Sequence, residues 1–455
     1  MSVGKLPDLG RAIDEGGVRG RYVLVFVLVA LLLVCELFDF FVVGYLVSAI
    51  APAWGLTFGK TSIMLLSAGV GAIFGALAGG RLADRHGRKP VLVGAGALVC
   101  LGAGSLAFVP EGDWLAFTAL RFIVGVGYGA CGATQFALIA ECTPRAWRTL
   151  LTSSMGIPAG LGLLLSSSIV SILYAQLGWR GTALLGYAPL VVVVLLALFT
   201  LESPRWLLSR GRLVDAQRSA AALLRLPDHD PAALPLAQVE ASASFVDVFR
   251  EGRRFWLIVL IQVALGSVLA GVLLWGPTLV AQVFEVSPQR AAGYFVGVSI
   301  SALIGRIAFT WIPHRIGRVR SGLLVGFGGM VALLVAVWQH DAYLAGIPIL
   351  FLCLVVGQFF YDGGYSNLTT YAAELYPVRA GASAMGVSAG SAGVGKILGP
   401  LVMGLIAGAD NLVVPAVTQR AVVPVFLFLA GCCLIVGLAY AFLGVETAHK
   451  PQRLS

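Results

Sequence analysis

Charge is the property that this sequence has least of. Asp, Glu, Lys and Arg make up only 12% of its 455 residues, whereas 58% are hydrophobic and the mean hydropathy is +0.91. A water-soluble domain has no core large enough to bury so much apolar surface. A soluble globular protein is therefore excluded, and the chain must be solvated by lipid.

Histidine is scarce, and cysteine is dispersed. The five histidines fall in loops or tails, and the seven cysteines lie within or at the ends of apolar runs without metal-type spacing. Neither a zinc site nor a disulfide framework is expected. The glycine pairs lie inside apolar runs instead of in a strand-to-helix phosphate loop, and the sequence has no ATPase motif. We therefore expect no enzyme activity, no cofactor and no ATP-driven pump.

The positive charges do not form a nucleic-acid site. The formal net charge is +9, but Lys and Arg recur in short clusters between apolar runs and have no interleaved aromatics. The expected partners are the lipid bilayer, a small-molecule substrate and protons, with no nucleic acid, and we expect a monomer.

Apolar runs long enough to cross about 30 Å of hydrocarbon predict twelve transmembrane helices. The first run is too long for a signal peptide. The polar stretch 202–254, which contains LLRLPDHDPAALPLAQVE, predicts a linker between two groups of six. The fold class is therefore an all-α membrane protein with two six-helix bundles, 22–201 and 255–443, and with tails at 1–21 and 444–455. The predicted spans lie near 22–50, 62–80, 90–109, 115–140, 150–174 and 181–201, and then near 255–283, 291–312, 321–339, 344–372, 383–408 and 421–443.

The positions of the cations predict the orientation in the membrane, because Lys and Arg near span ends are kept on the cytoplasmic side. Isolated cations mark the opposite loops, namely Lys60, Arg180, Arg290 and Arg420. Both termini and the linker should then be cytoplasmic, in a cell membrane such as a bacterial inner membrane. The clustered cations are Arg19, Arg21, Arg81, Arg85, Arg88, Lys89, Arg145, Arg148, Arg250, Arg253, Arg254, Arg315, Arg318 and Arg320.

Two sequence matches indicate that the halves are related. GGRLADRHGRKP follows the second span and WIPHRIGRVR follows the eighth, which aligns Asp84 with His314. The fourth span ends in AECTPRAWR and the tenth in AAELYPVRAG, which aligns Glu141 with Glu374 at nearly the same offset. Duplicated halves are typical of membrane transporters.

These motifs carry a family resemblance that covers most of the chain. GGRLADRHGRKP resembles the loop signature of the major facilitator superfamily, and ESPRWLL resembles the sixth-span exit of its sugar porter, organic-ion and aromatic-acid branches. LFDFFVVGYLVSAIAPAWGL, LLWGPTLV and GVGKILGP are similar to bacterial metabolite:proton symporters, particularly aromatic-acid carriers. The resemblance implies secondary transport of a small organic solute, such as an aromatic acid, by proton symport with alternating access.

The sequence departs from the family pattern at three places. His314 replaces the acidic residue usual in the repeated loop motif, and Lys396 stands where Arg is common. Only one of the two carboxylates frequent in the first-span motif is at its usual place.

Other functions stay open at this stage. A proton-antiport exporter of drugs or metabolites is disfavoured because the fifth span, SSMGIPAGLGLLL, lacks the Gly-Pro dipeptide of the antiporter signature. A sugar or polyol porter is a further alternative. A sensor without transport activity is disfavoured by the charges within the spans.

A group of charged residues at the predicted cytoplasmic span ends is expected to gate the cavity by forming ion pairs when that side closes. The alternative is that these residues only fix topology and static packing, since exposed ion pairs contribute little. The group comprises Asp84, Arg85, Arg88, Glu141, Arg315, Arg318 and Glu374.

Six charged residues fall within the spans, where each costs at least ~3 kcal/mol and should face a cavity or a partner. They are three acids and three bases, so their sum does not fix the charge of the substrate. They are Glu36, Asp39, Arg121, Arg306, Asp362 and Lys396.

Asp39 and Arg121 are expected to pair, because they lie at similar depths in the first and fourth spans. Proton-coupled sugar porters, by resemblance, have an acid and an Arg at these positions. Opening such a pair would change the proton affinity of the carboxylate, so the pair suits proton coupling. The alternative is a permanently ionised structural bridge. Glu36 shares a helix face with Asp39 and either joins the coupling site or bonds between helices.

The second half supplies the candidate substrate groups. Lys396 either binds a carboxylate of the substrate or is the buried partner of Asp362. Gln262 and Trp275 are cavity residues by resemblance. The tenth span carries a polar face at helical spacing, made of Gln358, Asp362, Tyr365, Ser366 and Thr369.

Overall fold

The computed structural model describes residues 9–225, 249, 252–376 and 381–447. Eleven helical runs in this part are long and apolar enough to cross a membrane, and one of them, Arg145–Phe199, has 55 residues. At about 1.5 Å per residue that run exceeds two bilayer thicknesses. The run turns at Gly178, whose φ of +61° lies in the left-handed region that favours glycine. The run therefore crosses twice, and the twelve predicted crossings are confirmed.

The first six spans are helices that begin and end close to the predicted bounds. Helix Arg145–Ser154 precedes the fifth span at the end of the bundle where the first span begins. In order, the spans are Gly20–Ala53, Phe58–His86, Arg88–Ser105 with the turn Leu106–Phe108, Trp114–Cys142, Gly156–Leu184 up to Gly178, and the remainder of that helix with Leu185–Tyr187 and Leu190–Phe199.

The second six spans begin with an interrupted helix. The seventh span is Gly252–Ala270, a π-helical turn Gly271–Trp275, and Gly276–Val283. The tenth begins at Ile349, five residues after the predicted start, because Tyr343–Leu344 and Ile347–Pro348 form a small antiparallel hairpin. The other spans are Pro288–Ile316, Arg318–Trp338, Gly381–Ile406 and Pro415–Leu443.

Helix packing repeats between the halves. The second span packs on the fourth as the eighth packs on the tenth, and the first packs on the fifth as the seventh packs on the eleventh. The halves meet where the second span contacts the eleventh and where the fifth contacts the eighth. The two bundles therefore have the same internal arrangement of helices, as expected for duplicated halves.

Glycine permits the closest of these contacts. A Cβ atom on Gly75 would lie 1.9 Å from the carbonyl oxygen of Val126, and one on Gly305 would lie 2.4 Å from that of Phe359. Backbones can approach so closely only where no side chain intervenes.

The N-terminal segment is more structured than the predicted tail. Helix Leu9–Glu15 buries Leu9 and Ile13, and strand Gly17–Val18 pairs with Leu224–Arg225 after the helices Pro204–Ser209 and Leu213–Leu223. Asp14 joins this segment to the first bundle through ion pairs with Arg148, at 2.7 Å, and Arg205, at 2.6 Å. Residues 226–248, 250 and 251 of the predicted linker lie outside the described residues, and Arg250 is among them.

The two faces of the bundle differ. We call the end where the first span begins and the twelfth ends the terminal face, and the other end the distal face. At the distal face the halves are joined by a β-bridge between Thr57 and Leu412 and by the Phe58 amide, which donates to the Asn411 carbonyl at 2.9 Å. Gly44 of the first span packs on the backbone of Leu274 in the seventh. The distal face is therefore closed.

Candidate functional site

The predicted pair in the first half is present. Arg121 Nη1 donates to Asp39 Oδ2 at 2.9 Å, and the two side chains are 1% and 8% exposed. Within the described chain, Nε and Nη2 of Arg121 have no hydrogen-bond partner. The pair is thus single-bonded and buried, and its role in proton coupling stays a prediction.

Glu36 lies apart from that pair and contacts the half of the fourth span that is nearer to the terminal face. Gln135 Nε2 donates to Glu36 Oε2 at 3.4 Å, and both side chains are buried. Gln135 was missed in the sequence, although it lies on the same helical face as Arg121, fourteen residues later. Glu36 therefore bonds between helices in this conformation, and its role in proton coupling stays a prediction.

Asp362 pairs with Arg306, and the expected alternative of a pair with Lys396 is wrong. Arg306 Nε and Nη2 each donate to one carboxylate oxygen of Asp362 at 2.8 Å, while Nη1 donates to the carbonyl of Gly156 at 3.2 Å. The physical reason is that the eighth span, which carries Arg306, packs along much of its length on the tenth span, which carries Asp362. The guanidinium fork also matches a carboxylate better than an ammonium does.

Lys396 lies where the second and eleventh spans meet. Its Nζ is 3.3 Å from the Tyr128 hydroxyl and 5.2 Å from the ring centroids of both Phe40 and Tyr128. Among the described residues no carboxylate is within ion-pair distance of it. Sequence reasoning missed Phe40 and Tyr128. Phe40 directly follows Asp39, and Tyr128 lies seven residues, or about two helical turns, after Arg121.

Tyr128 connects the two cations of the second half. Besides its contact with Lys396, it lies near enough to Arg306 and Tyr365 for electrostatic interaction, and Tyr365 is similarly close to Asp362. The tenth-span face thus meets the fourth span across the space between the halves. The side chain of Thr369 is outside the described part.

The remaining predicted substrate residues are all buried. Gln262 donates to Ser388, and Gln358 is 0% exposed with both amide atoms unpartnered in the described chain. Trp275 stacks on Phe58 with centroids 5.3 Å apart, and its ring nitrogen donates to the Pro400 carbonyl at 3.2 Å. The structure therefore places Trp275 in the distal closure between the halves.

The gating residues of the first half form one cluster at the terminal face. Arg88 pairs with Asp84 and with Glu141, each at 2.8 Å. Glu202 accepts from the backbone amides of Arg88, at 2.8 Å, and Lys89, at 3.2 Å. The carboxylate of Glu202 thereby caps the start of the third span, where a helix favours negative charge.

The second half repeats this cluster with a residue that sequence reasoning missed. Arg318 pairs with Glu374 at 2.7 Å, and Glu446 accepts from the amides of Arg318, at 2.8 Å, and Val319, at 3.2 Å. Thr447 donates to Glu374 at 2.6 Å. Extending the internal repeat to the exits of the sixth and twelfth spans would have found Glu446 as the counterpart of Glu202.

A glycine makes room for each capping carboxylate. Gly87 and Gly317 have φ of +109° and +94°, in the region that favours glycine. A Cβ atom would lie 2.1 Å from an oxygen of Glu202 at the first site and 2.5 Å from one of Glu446 at the second.

The remaining gating candidates are exposed. The Asp84 side chain is 72% exposed despite its pair with Arg88, and its counterpart His314 is also exposed. Arg85 and Arg315 are exposed, and neither has an ion pair among the described residues. The structure gives these two arginines no closing contact in this conformation.

No group of three or more His, Cys, Asp or Glu in the described chain could hold a metal ion. The candidate site instead combines the rings of Phe40 and Tyr128 with the ammonium of Lys396, and each half adds one guanidinium paired with a buried carboxylate. Such an arrangement has the groups to bind a small organic anion and to offer carboxylates to a proton.

Comparison with known proteins identifies the family. Residues 29–345 and 314–455 match the sequence model of the Major Facilitator Superfamily. The 4-hydroxybenzoate transporter PcaK of Pseudomonas aeruginosa is 28% identical over 372 residues, covering 78% of this chain and 80% of that protein. The niacin transporter NiaP of Acinetobacter baylyi is 28% identical, covering 80% of this chain and 82% of that protein.

A solved structure agrees with the fold. The xylose transporter XylE from E. coli, in a partially occluded inward-open conformation, superposes with a TM-score of 0.74 at 17% identity, covering 95% of this chain and all of that chain. Twelve spans in two related halves, the paired terminal-face clusters and the matched family sequence lead to one conclusion. The chain is a multi-pass membrane transporter and belongs to the Major Facilitator Superfamily.

Proposed function

We propose that this protein takes up a small aromatic carboxylic acid by proton symport. The observation that carries the proposal is Lys396, a cation within a span that has aromatic rings beside it and no carboxylate partner in the described chain. Lys396 is half-buried within a span, where an ammonium needs a counter-charge, and a substrate carboxylate would supply it. Phe40 and Tyr128 would contact the ring of the substrate. Both named relatives are transporters of aromatic acids with one carboxyl group.

The proposed coupling pair is Asp39 and Arg121, with Glu36 as a second proton-binding group. A single-bonded pair can open at less cost than a doubly bonded one. In the proposed cycle, protonation of Asp39 releases Arg121, and the bundles then rock so that the cavity opens alternately to the two sides. Because cations cluster at the terminal face, we place that face and both termini in the cytoplasm of a bacterial cell.

Uptake into proteoliposomes tests this function. Labelled 4-hydroxybenzoate and nicotinate should accumulate when the interior is made alkaline, and a proton ionophore should abolish the accumulation. Xylose, which carries no charge, should not be taken up. Movement of the acid against the direction of the protons would instead establish antiport, and uptake of xylose alone would establish a sugar porter.

Lys396 is the first residue to test. Lys396→Gln should lower the affinity for 4-hydroxybenzoate by ~2 to 4 kcal/mol, the effect of truncating one member of a buried charge pair. Lys396→Arg should keep a measurable part of the affinity, because the positive charge remains. Binding to purified protein is the measurement, with protein yield as the control for folding. Unchanged affinity in Lys396→Gln would remove Lys396 from the binding site.

A further inference from the structure

We infer that Asp362 restricts the substrate to a single negative charge, by permanently neutralising Arg306, the second cation of the cavity. This inference rests on the proposed function, since it concerns which organic anions the same site accepts. It assigns a specificity role to the Arg306 and Asp362 pair, which lies near Tyr128, the residue that contacts Lys396.

The geometry of the pair indicates that it does not open for a ligand. Two parallel hydrogen bonds of 2.8 Å join Arg306 to Asp362, whose side chain is 1% exposed. The remaining guanidinium nitrogen donates to Gly156 of the other half. Arg306 also packs on Gly160, where a Cβ atom would lie 3.3 Å from its Cδ. All three guanidinium nitrogens therefore already have acceptors.

Lys396 and Arg306 lie at the two equivalent contacts between the halves. Arg306 lies at the contact of the fifth and eighth spans, and Lys396 lies at the matching contact of the second and eleventh. Both face glycine in the first half, since Gly69 approaches the backbone of Lys396 as Gly160 approaches Arg306. Within the described part of the chain only the guanidinium has a carboxylate partner, so the ammonium is left for a carboxylate of the substrate.

The charge balance around the cavity then favours monoanions. Arg121 is already paired with Asp39, and Glu36 is held by Gln135. A second carboxylate on the substrate would find no free cation among these groups and would add its charge to that of Asp362. Unpaired or like charges in a dry site cost several kcal/mol.

Two ligands of equal shape and different charge test the inference. 4-Nitrobenzoate is a monoanion, and terephthalate places a second carboxylate where the nitro group is. Binding of each to the purified full-length protein should be measured by calorimetry at pH 7.5, where both carboxyls of terephthalate are ionised. The wild type should bind 4-nitrobenzoate at least about tenfold more tightly, given the cost of like charges.

Variants locate the cause of this preference. Asp362→Asn frees Arg306, so the preference should fall by about tenfold or reverse. The double variant Arg306→Gln with Asp362→Asn removes both charges and should keep the wild-type preference, and it remains informative if the single variant does not fold. Asp341→Asn, at an 86% exposed side chain, is the matched control.

Each result decides the matter. Equal binding of both ligands by the wild type, an unchanged preference in Asp362→Asn, or a lost preference in the double variant would overturn the inference and leave the proposed function standing. Failure of the wild type to bind any aromatic monocarboxylate would overturn the proposed function together with it.

Discussion

The two buried carboxylate and guanidinium pairs differ in a way that suits different tasks. Asp39 receives one hydrogen bond from Arg121, which keeps two nitrogens unpartnered in the described chain, whereas Asp362 receives two from Arg306. Unsatisfied buried donors destabilise the first pair relative to a fully bonded one. The first pair is therefore the better candidate to open and close during transport, and the second is the better candidate for a fixed charge.

Asp39→Asn should abolish accumulation driven by a pH gradient and leave exchange of substrate across the membrane largely intact. Exchange requires the bundles to rock but does not require the proton to be released. The measurement compares gradient-driven uptake with counterflow in the same proteoliposomes. Asp341→Asn is the control, and full gradient-driven accumulation by Asp39→Asn would remove Asp39 from the coupling role.

The partners in an ion pair could be predicted from the sequence only where the depth of each residue in the membrane was enough to identify them. Asp39 and Arg121 were paired correctly because they lie at similar depths in spans of opposite direction. Depth could not choose between Arg306 and Lys396 as the partner of Asp362, since both cations lie within spans. That choice depends on which helices are neighbours and which faces they present, and helical periodicity within one span does not contain this information.

At the scale of elements, the turn between the second and third spans and the turn between the eighth and ninth spans are built from the same three parts. Each has a glycine with positive φ, an arginine that opens the next span, and a carboxylate delivered from the last span of the same half. The first two parts, Gly87 with Arg88 and Gly317 with Arg318, lie within the repeated motif of the sequence. The carboxylates, Glu202 and Glu446, come from more than a hundred residues away, so their contact could not be seen in the local pattern.

Glu446→Ala and Glu202→Ala should have matching effects. Each removes the acceptor for two backbone amides at a helix start, so each should cost about 1 kcal/mol of stability. Turnover should fall, and substrate affinity should stay within a few fold, because both residues lie at the terminal face. Thermal unfolding in detergent and the concentration dependence of uptake are the measurements.

The control for these variants is Glu111→Ala, whose side chain is 77% exposed. A large loss of affinity at normal turnover would contradict the assignment of the clusters to the terminal face. An effect of Glu202→Ala without any effect of Glu446→Ala would contradict the structural equivalence of the two halves.

At the scale of the whole molecule, the sequence predicted the number of spans and their duplication but not which face is closed. Spans follow from apolar length, and duplication follows from repeated motifs. Closure depends on contacts between the halves, such as Trp275 against Phe58 and the Pro400 carbonyl. Trp275 was expected in the cavity because the family resemblance indicates where a residue lies along its helix. The contacts of Trp275 depend, however, on how the two bundles are placed relative to each other, and the sequence does not give that placement.

A disulfide across the distal closure should stop transport if the bundles rock. Thr57 and Leu412 face each other in an isolated antiparallel bridge, where Cα atoms lie about 4.5 to 5.5 Å apart, within the range that a disulfide spans. Oxidation of Thr57→Cys with Leu412→Cys should therefore abolish uptake, and reduction should restore it. Binding of 4-hydroxybenzoate in detergent should survive oxidation, because the disulfide holds the distal contacts as they are in this structure and touches none of Phe40, Tyr128 and Lys396. Each single cysteine variant controls for loss of the Thr57 hydroxyl, which caps the second span, and for pairing with the native cysteines. Uptake by the fully cross-linked protein at the rate of the reduced protein would show that the distal face does not open during transport.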